Sequence, residues 1–194
     1  MDGKQKILQQ AEKLFTEHGY QAVSIRQIAQ ACNFTNAALY YHFTNKEELF
    51  SAVMAHHAER LKQQMEQAAQ QAQNPRARLL AMLQAYSSLA GSKRSPFFLL
   101  RRDSRALGEE KTRQQFTRIL HVILDPIENV LQQAIQQGEL RALPDGHSPA
   151  ALLFGMLHGM TQYRKAHQHE IRSQDIQTVV DIFWNGMRGA RSKE

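Results

Sequence analysis

The stretch NFTNAALYYHFTNKEELF, residues 33–50, gathers side chains suited to molecular recognition. The hydroxyls of Thr35, Tyr40 and Tyr41, the His42 imidazole and the Lys46 ammonium suit phosphate oxygens. The Asn36 amide can read a base edge. Ala37 and Ala38 are small enough to let a helix sit deep in a major groove and to touch thymine methyls. This is binding chemistry rather than bond-making chemistry. The chain has no glycine-rich phosphate loop, nucleophile elbow or matched carboxylate pair, so an enzyme is the weaker class of reading.

Tyr40, Tyr41, His42 and Phe43 follow one another directly. A helix advances about 100° per residue, so four neighbours point in four directions and one core cannot take them all. Leu39 and Phe43, four apart, can point inward with Ile28, Ala29 and Phe34. Asn36, Ala37, Tyr40, Tyr41 and His42 are then left on or beside the outer face, with Tyr40 open to being partly core. Local signals supply the elements that hold these residues. Ser24 precedes a short apolar-periodic segment, SIRQIAQA, and Gln27 three residues on completes a capping-box pattern. Asn33 sits where the chain must turn and tolerates the left-handed conformation. Thr35 can cap a second short helix, to about His42. Two such helices joined by a tight turn have the dimensions of a helix-turn-helix. Upstream, Ile7, Leu8, Ala11, Leu14 and Phe15 form one apolar stripe, with Gly19 as a stop. Downstream, Asn45 can cap a long helix to about residue 72. Lys46 lies near its N-terminus, where amides and dipole favour an anion.

The remainder also reads as helix. Pro75 opens one, and apolar stripes recur at 79–90 and 116–135. Asp125–Pro126 either kinks the second stripe or starts a new helix, with Glu128 completing its box. Residues 136–149 form a loop, Ser148–Pro149 starts another helix, and Ser173 caps the last. No strand alternation or fixed-period repeat is present, so the expected fold class is all-α.

The segment SIRQIAQACNFTNAALYYHFTNKEELF resembles the helix-turn-helix signature of TetR-type bacterial regulators. Ile25, Arg26, Ile28, Ala29, Leu39, Tyr40, His42, Phe43, Lys46, Glu47 and Leu49 fall in register with it. KILQQAEKLFTEHGYQAVS before it resembles the family's first helix. Cys32-Asn33-Phe34 stands where Ala-Gly-Val is usual, and Ala37 where Gly is common, which leaves few polar groups for base reading. The resemblance implies an N-terminal three-helix DNA-binding domain (1–47) and a larger helical ligand-binding and dimerisation domain (48–194). It implies a homodimeric repressor released from a palindromic duplex operator by a small molecule of unknown identity. A DNA-binding protein of the same fold without a small-molecule inducer, controlled by a protein partner or organising chromosomes, is the alternative. Arg26 joins the DNA-contacting candidates, or is simply a solvated helix residue.

The C-terminal part carries broad apolar faces. Segments 149–163 and 176–187 exceed what one small domain covers, and Gly155 and Gly159 permit close helix approach. Leu152, Gly155, Gly159, Val180, Phe183, Trp184 and Met187 are therefore candidates for a dimer interface, which the resemblance places across a two-fold axis. Met54, His57, Met82, Tyr86, Phe97, Phe98, Phe116, His121, Met156 and Met160 are candidates for a ligand pocket, each equally readable as plain core. Residues 93–118 are strongly basic, which suits an anionic ligand or a solvated face. The histidines lack partners at metal-ligand spacing, and no cofactor is implied.

Net charge is +6 over 194 residues, yet residues 1–50 balance, and the excess lies in 51–194. Bulk charge thus does not locate a DNA surface. One cysteine, Cys32, rules out an intrachain disulfide framework and fits a reducing cytoplasm. The segment MDGKQKIL lacks a signal-peptide core, and no apolar run is long enough to span a bilayer.

Overall fold

Side-chain caps set the helix boundaries at the N-terminal end. The computed structural model describes residues 2–90 and 96–188, without the side chains of 90, 96, 97 and 106. Among them the helices are α1 (Gly3–His18), α2 (Ile25–Ala31), α3 (Asn36–His42), α4 (Lys46–Ala69), α5 (Pro75–Ala90), α6 (Pro96–Leu107), α7 (Glu109–Gln136), α8 (Pro149–Ala166) and α9 (Ser173–Met187). Before α2, the Ser24 amide donates to Gln27 Oε1 at 2.7 Å and the Gln27 amide donates to Ser24 Oγ at 3.2 Å. Before α3, the Ala38 amide donates to Thr35 Oγ1 at 3.1 Å. Before α4, the Glu48 amide donates to Asn45 Oδ1 at 2.8 Å, and the Glu48 carboxylate accepts from the Thr44 amide. The Gln27, Ala38 and Glu48 amides are first-turn N–H groups with no helical acceptor, and capping each is worth about 1 kcal/mol.

The described residues divide into two compact units, one of 2–60, 89–90 and 96–121, the other of 61–88 and 122–188. In the first, α1 packs on α2 and α2 on α3. Its core includes Ile7, Ala11, Phe15, Ile28, Leu39, Phe43, Leu49 and Phe50. Phe15 meets Phe50 edge-on at 5.3 Å between ring centroids, and Tyr20 completes the aromatic group. Truncating Phe15 to Ala would cost about 3–5 kcal/mol in transfer and cavity terms. Gly19 ends α1 at φ 86, a conformation glycine adopts without strain. Asn33 holds the α2–α3 turn at φ 54, as its residue type anticipates.

In the second unit, α8 packs along α9 over a core that includes Leu153, Leu157, Val180 and Trp184. Tyr86 of α5 meets Phe154 of α8 at 5.1 Å. One open alternative closes here and two sequence expectations change. Of the two readings at Asp125–Pro126 the restart falls away: α7 runs on through Pro126, which forgoes one helical N–H donor. Glu128 caps a different helix, accepting from Ser148 Oγ at 2.7 Å and the Ala150 amide at 3.1 Å. The last helix is capped one residue earlier than expected. Arg172 is its N-cap, and the Arg172 amide donates to Asp175 Oδ2 at 2.9 Å. Helix α6 and the first turns of α7 are not anticipated by the sequence. An isolated antiparallel bridge, Leu140 with Arg188, is the only strand-type pairing among the described residues.

Candidate nucleic-acid interface

Leu39 and Phe43 are buried with Ile28 and Ala29, and this fixes the roll of α3. The opposite face carries Asn36, Ala37 and Tyr41 in the open, with Tyr40 at 52% and Tyr41 at 86% exposure. A tyrosine that exposed gains nothing from the fold's own core. Tyr41 and His42 meet edge-on at 5.2 Å, so the His42 ring is partly covered. Thr35 is exposed but spends an oxygen lone pair on its cap. Ala38 is half-buried, and Arg26, at the second position of α2, is exposed.

Lys46 is held rather than free. Its ammonium lies 4.4 Å from the centre of the Tyr20 ring and donates to the Gln21 carbonyl at 3.4 Å. Burial pushes its pKa down, opposed by the charge of Asp103. The Tyr20 hydroxyl is raised by burial and by Glu47, with Lys111 opposing. Sequence reasoning missed this ring beneath the lysine; only its place after Gly19 hinted at a packed role. It also missed Lys4 and Lys6, whose ammonium groups lie 5.8 and 5.3 Å from the Phe43 and Phe34 rings. They bring two further cations beside the helix pair.

The ligand-pocket candidates fall into both units. In the first, Met54 is buried, Phe98 half-buried, Phe116 46% exposed and His121 exposed. The side chain of Phe97 lies outside the described residues, as do Lys93 and Arg94 of the basic run. His57 is engaged by α1. Its Nε2 sits 2.7 Å from Glu12 Oε1 on α1, and Arg60 Nη1 is 3.5 Å from the same oxygen. Burial alone would raise the Glu12 pKa, but His57, Arg60 and His56 together bring it below the ordinary carboxylate value. In the second unit, Met82 is buried and Tyr86, Met156 and Met160 half-buried. Burial pushes the Tyr86 hydroxyl well above the usual phenol range. Two open grooves of about 610 and 470 Å³ share Glu66, Arg78 and Gln133 as lining, with Gln73, Asn74 and Gln136 adding amides. Of the pocket candidates with described side chains, Met82 alone lines either of these two grooves.

The interface candidates divide. Leu152, Gly155 and Gly159 are exposed along one stripe of α8, and a Cβ built at either glycine would meet no atom within 4 Å. Val180, Phe183, Trp184 and Met187 instead turn inward and are buried within the single chain. The broad apolar face of α9 is mostly used at home. The side chain it leaves outside is Ile182, 59% exposed and unforeseen from sequence. Among the described residues no group of three or more His, Cys, Asp or Glu could hold a metal ion, and no helix is long and apolar enough to cross a membrane.

Comparison with known proteins agrees with this geometry. Residues 7–53 match the family model of bacterial regulatory proteins, tetR family. Residues 72–166 match that of the tetracyclin repressor-like C-terminal domain. The chain belongs to the tetR family. The HTH-type transcriptional repressor AcnR of Corynebacterium glutamicum is 35% identical over 60 residues, 31% of this chain and 32% of that protein, so the chain spans about a third of that relative's length. The HTH-type transcriptional regulator SrpR of Pseudomonas putida is 26% identical over 186 residues, 95% of this chain and 85% of its own. A crystal structure of a tetR-family protein from Mesorhizobium loti MAFF303099 superposes with a TM-score of 0.77 at 19% identity. It covers 96% of this chain and 97% of its own, a likeness of fold.

Proposed function

We propose that the chain is a homodimeric transcriptional repressor of the cytoplasm that binds a two-fold-symmetric duplex through α3 and lets go when a small ligand binds. The observation that carries the reading is the face of α3, where Asn36, Ala37, Tyr40 and Tyr41 stand outside an anchored Leu39–Phe43 core contact. Asn36 reads a base edge, while Tyr40, Tyr41, His42, Thr35 and Arg26 meet phosphates or groove walls. Lys46 contributes charge from the corner where it is held. The exposed stripe of Leu152, Gly155 and Gly159, with Ile182, supports pairing of two copies through α8 and α9. Residues 1–47 act as the reading head and 48–194 as the regulatory and dimerising part. Helix α4, which starts at Lys46, carries the ligand's effect. Coupling is reciprocal: a ligand that weakens DNA binding by some factor is itself bound more weakly by the same factor on DNA.

The character of the grooves in the second unit favours a second reading. Open and lined by amides and charges, they suit a protein partner better than an apolar small molecule. Selection of duplexes from a random pool tests the DNA assignment, with a palindromic consensus as the expected result and no enrichment as the opposing one. Loss of the selected complex on screening small molecules supports the inducer reading. Loss only on adding a protein supports the alternative.

A further inference from the structure

A helix ends with carbonyls short of helical donors, and at α1 another helix supplies donors to the Thr16 carbonyl and to the Phe15 carbonyl, which also accepts from the Gly19 amide at 3.0 Å. Arg102 of α6 donates from Nη1 to the Thr16 carbonyl at 2.9 Å and from Nη2 to the Phe15 carbonyl. The same guanidinium donates from Nε to Asp103 Oδ1 at 3.3 Å and from Nη2 to Asp103 Oδ2 at 2.9 Å. Asp103 is buried, so its carboxylate has little solvent freedom and orients the arginine firmly. A cation at a helix C-terminus is also favoured by the helix dipole. Gly19 lies flush against the pair: a Cβ there would stand 3.4 Å from Asp103 Oδ1 and 3.8 Å from Arg102 Cζ.

The clamp gains its meaning from the residues just beyond Gly19. Tyr20, one residue on, carries the Lys46 ammonium on its ring, and Gln21 accepts from it. Lys46 opens α4 a few residues after α3 ends. Two further polar contacts tie this corner to α7: Lys111 Nζ to Glu47 Oε2 at 2.7 Å, and Gln115 Nε2 to Ser51 Oγ.

We infer that Arg102, oriented by Asp103, is a positioning residue through which α6 fixes the end of α1, the Gly19–Gln21 corner and hence the attitude of the reading helices. The inference rests on the DNA-binding reading. Only an arginine fits the task, because its planar fork reaches two carbonyls and a carboxylate at once, whereas a lysine offers a single point charge. Arg101 and Arg105 on the same helix are exposed and serve as controls for bulk charge.

The test uses the full chain and a duplex selected by the wild type from a random pool. Affinity for that duplex and for a random-sequence duplex is measured by fluorescence anisotropy, together with thermal stability and amide exchange over residues 15–21. Arg102→Met is expected to weaken binding of the selected duplex roughly tenfold, with much less loss on random DNA. Arg102→Lys and Asp103→Asn should lose part of that factor, and carry the test should Arg102→Met fail to fold. Arg101→Met should bind as wild type. Faster exchange at 15–21 with unchanged selected-duplex binding would make Arg102 a helix cap only and overturn the inference. Equal losses in Arg101→Met would reduce it to bulk charge. A wild type that enriches no duplex while the Arg102 variants still speed exchange would sink the DNA-binding reading and the positioning role with it.

Discussion

Helix α3 and the α8–α9 pair pose the same problem and solve it differently. Each carries more ring-bearing or apolar residues than one stripe can hide. In α3 the surplus goes outward: Leu39 and Phe43 anchor the core and Tyr41 stands almost fully exposed. In α9 the surplus goes inward: Val180, Phe183, Trp184 and Met187 are all buried in the single chain, and Ile182 is left outside. The difference lies in length and neighbours. Two turns packed on one side have a single inner face, whereas a longer helix flanked by α8 and the rest of its unit can bury a wide arc. Breadth of an apolar face therefore says that partners exist, not whether they are another copy.

The largest expected effect tests the inward half of this contrast. Trp184→Ala or Phe183→Ala should cost about 3–5 kcal/mol, read by denaturant unfolding. A loss near zero with a changed molecular mass would restore these residues to an interface. Ile182→Glu and Gly155→Leu should behave in the opposite way. They are expected to leave secondary structure intact but shift sedimentation at micromolar concentration from dimer to monomer. Unchanged mass in both would move the pairing surface elsewhere.

On the outward side, Asn36→Ala should cost about 1–3 kcal/mol at one base pair per half-site and relax preference there. Lys46→Ala should weaken binding to every sequence and lower the salt slope by about 1. If Asn36→Ala weakened all duplexes alike, the outer face of α3 would be a phosphate contact rather than a reader.

The smallest effect concerns the Glu12–His57 contact that ties α1 to α4. The Glu12 carboxyl titrates below its ordinary 4.5 in the fold, so its contribution is fully present above the unfolded value and is lost as pH falls through the folded one. Glu12→Gln should remove that acid-dependent component and flatten stability against pH in the acid range below the ordinary carboxylate value. An unchanged acid limb would assign the sensitivity to other carboxylates.

Legibility in the sequence tracks the range of the interactions. Ser24 with Gln27, Thr35 with Ala38 and Asn45 with Glu48 act across three residues, so the limits of α2, α3 and α4 could be read directly. The outer face of α3 came from the four-residue spacing of its two anchors. Interactions that close over long separations left no local trace. His57 has the sequence setting of a pocket residue, and only the fold brings Glu12 to it from α1. Arg102 is indistinguishable in sequence from Arg101 and Arg105. Helix α6 hid within a basic run, although Leu99, Leu100, Asp103 and Leu107 share its buried side. Glu128 could cap its own helix or another, and only folding brings Ser148 to it.

Asn33 holds its turn at φ 54 without being glycine. Glycine there would relieve left-handed strain but would widen the ensemble of unfolded conformations that folding must narrow. The two terms are opposite in sign and each about 1 kcal/mol or less. Residue 33 can thus exchange between asparagine and glycine over evolutionary time with little net selection on stability. A β-branched residue meets a steric barrier instead. The residue type can change between these two while the left-handed turn joining α2 to α3 stays the same.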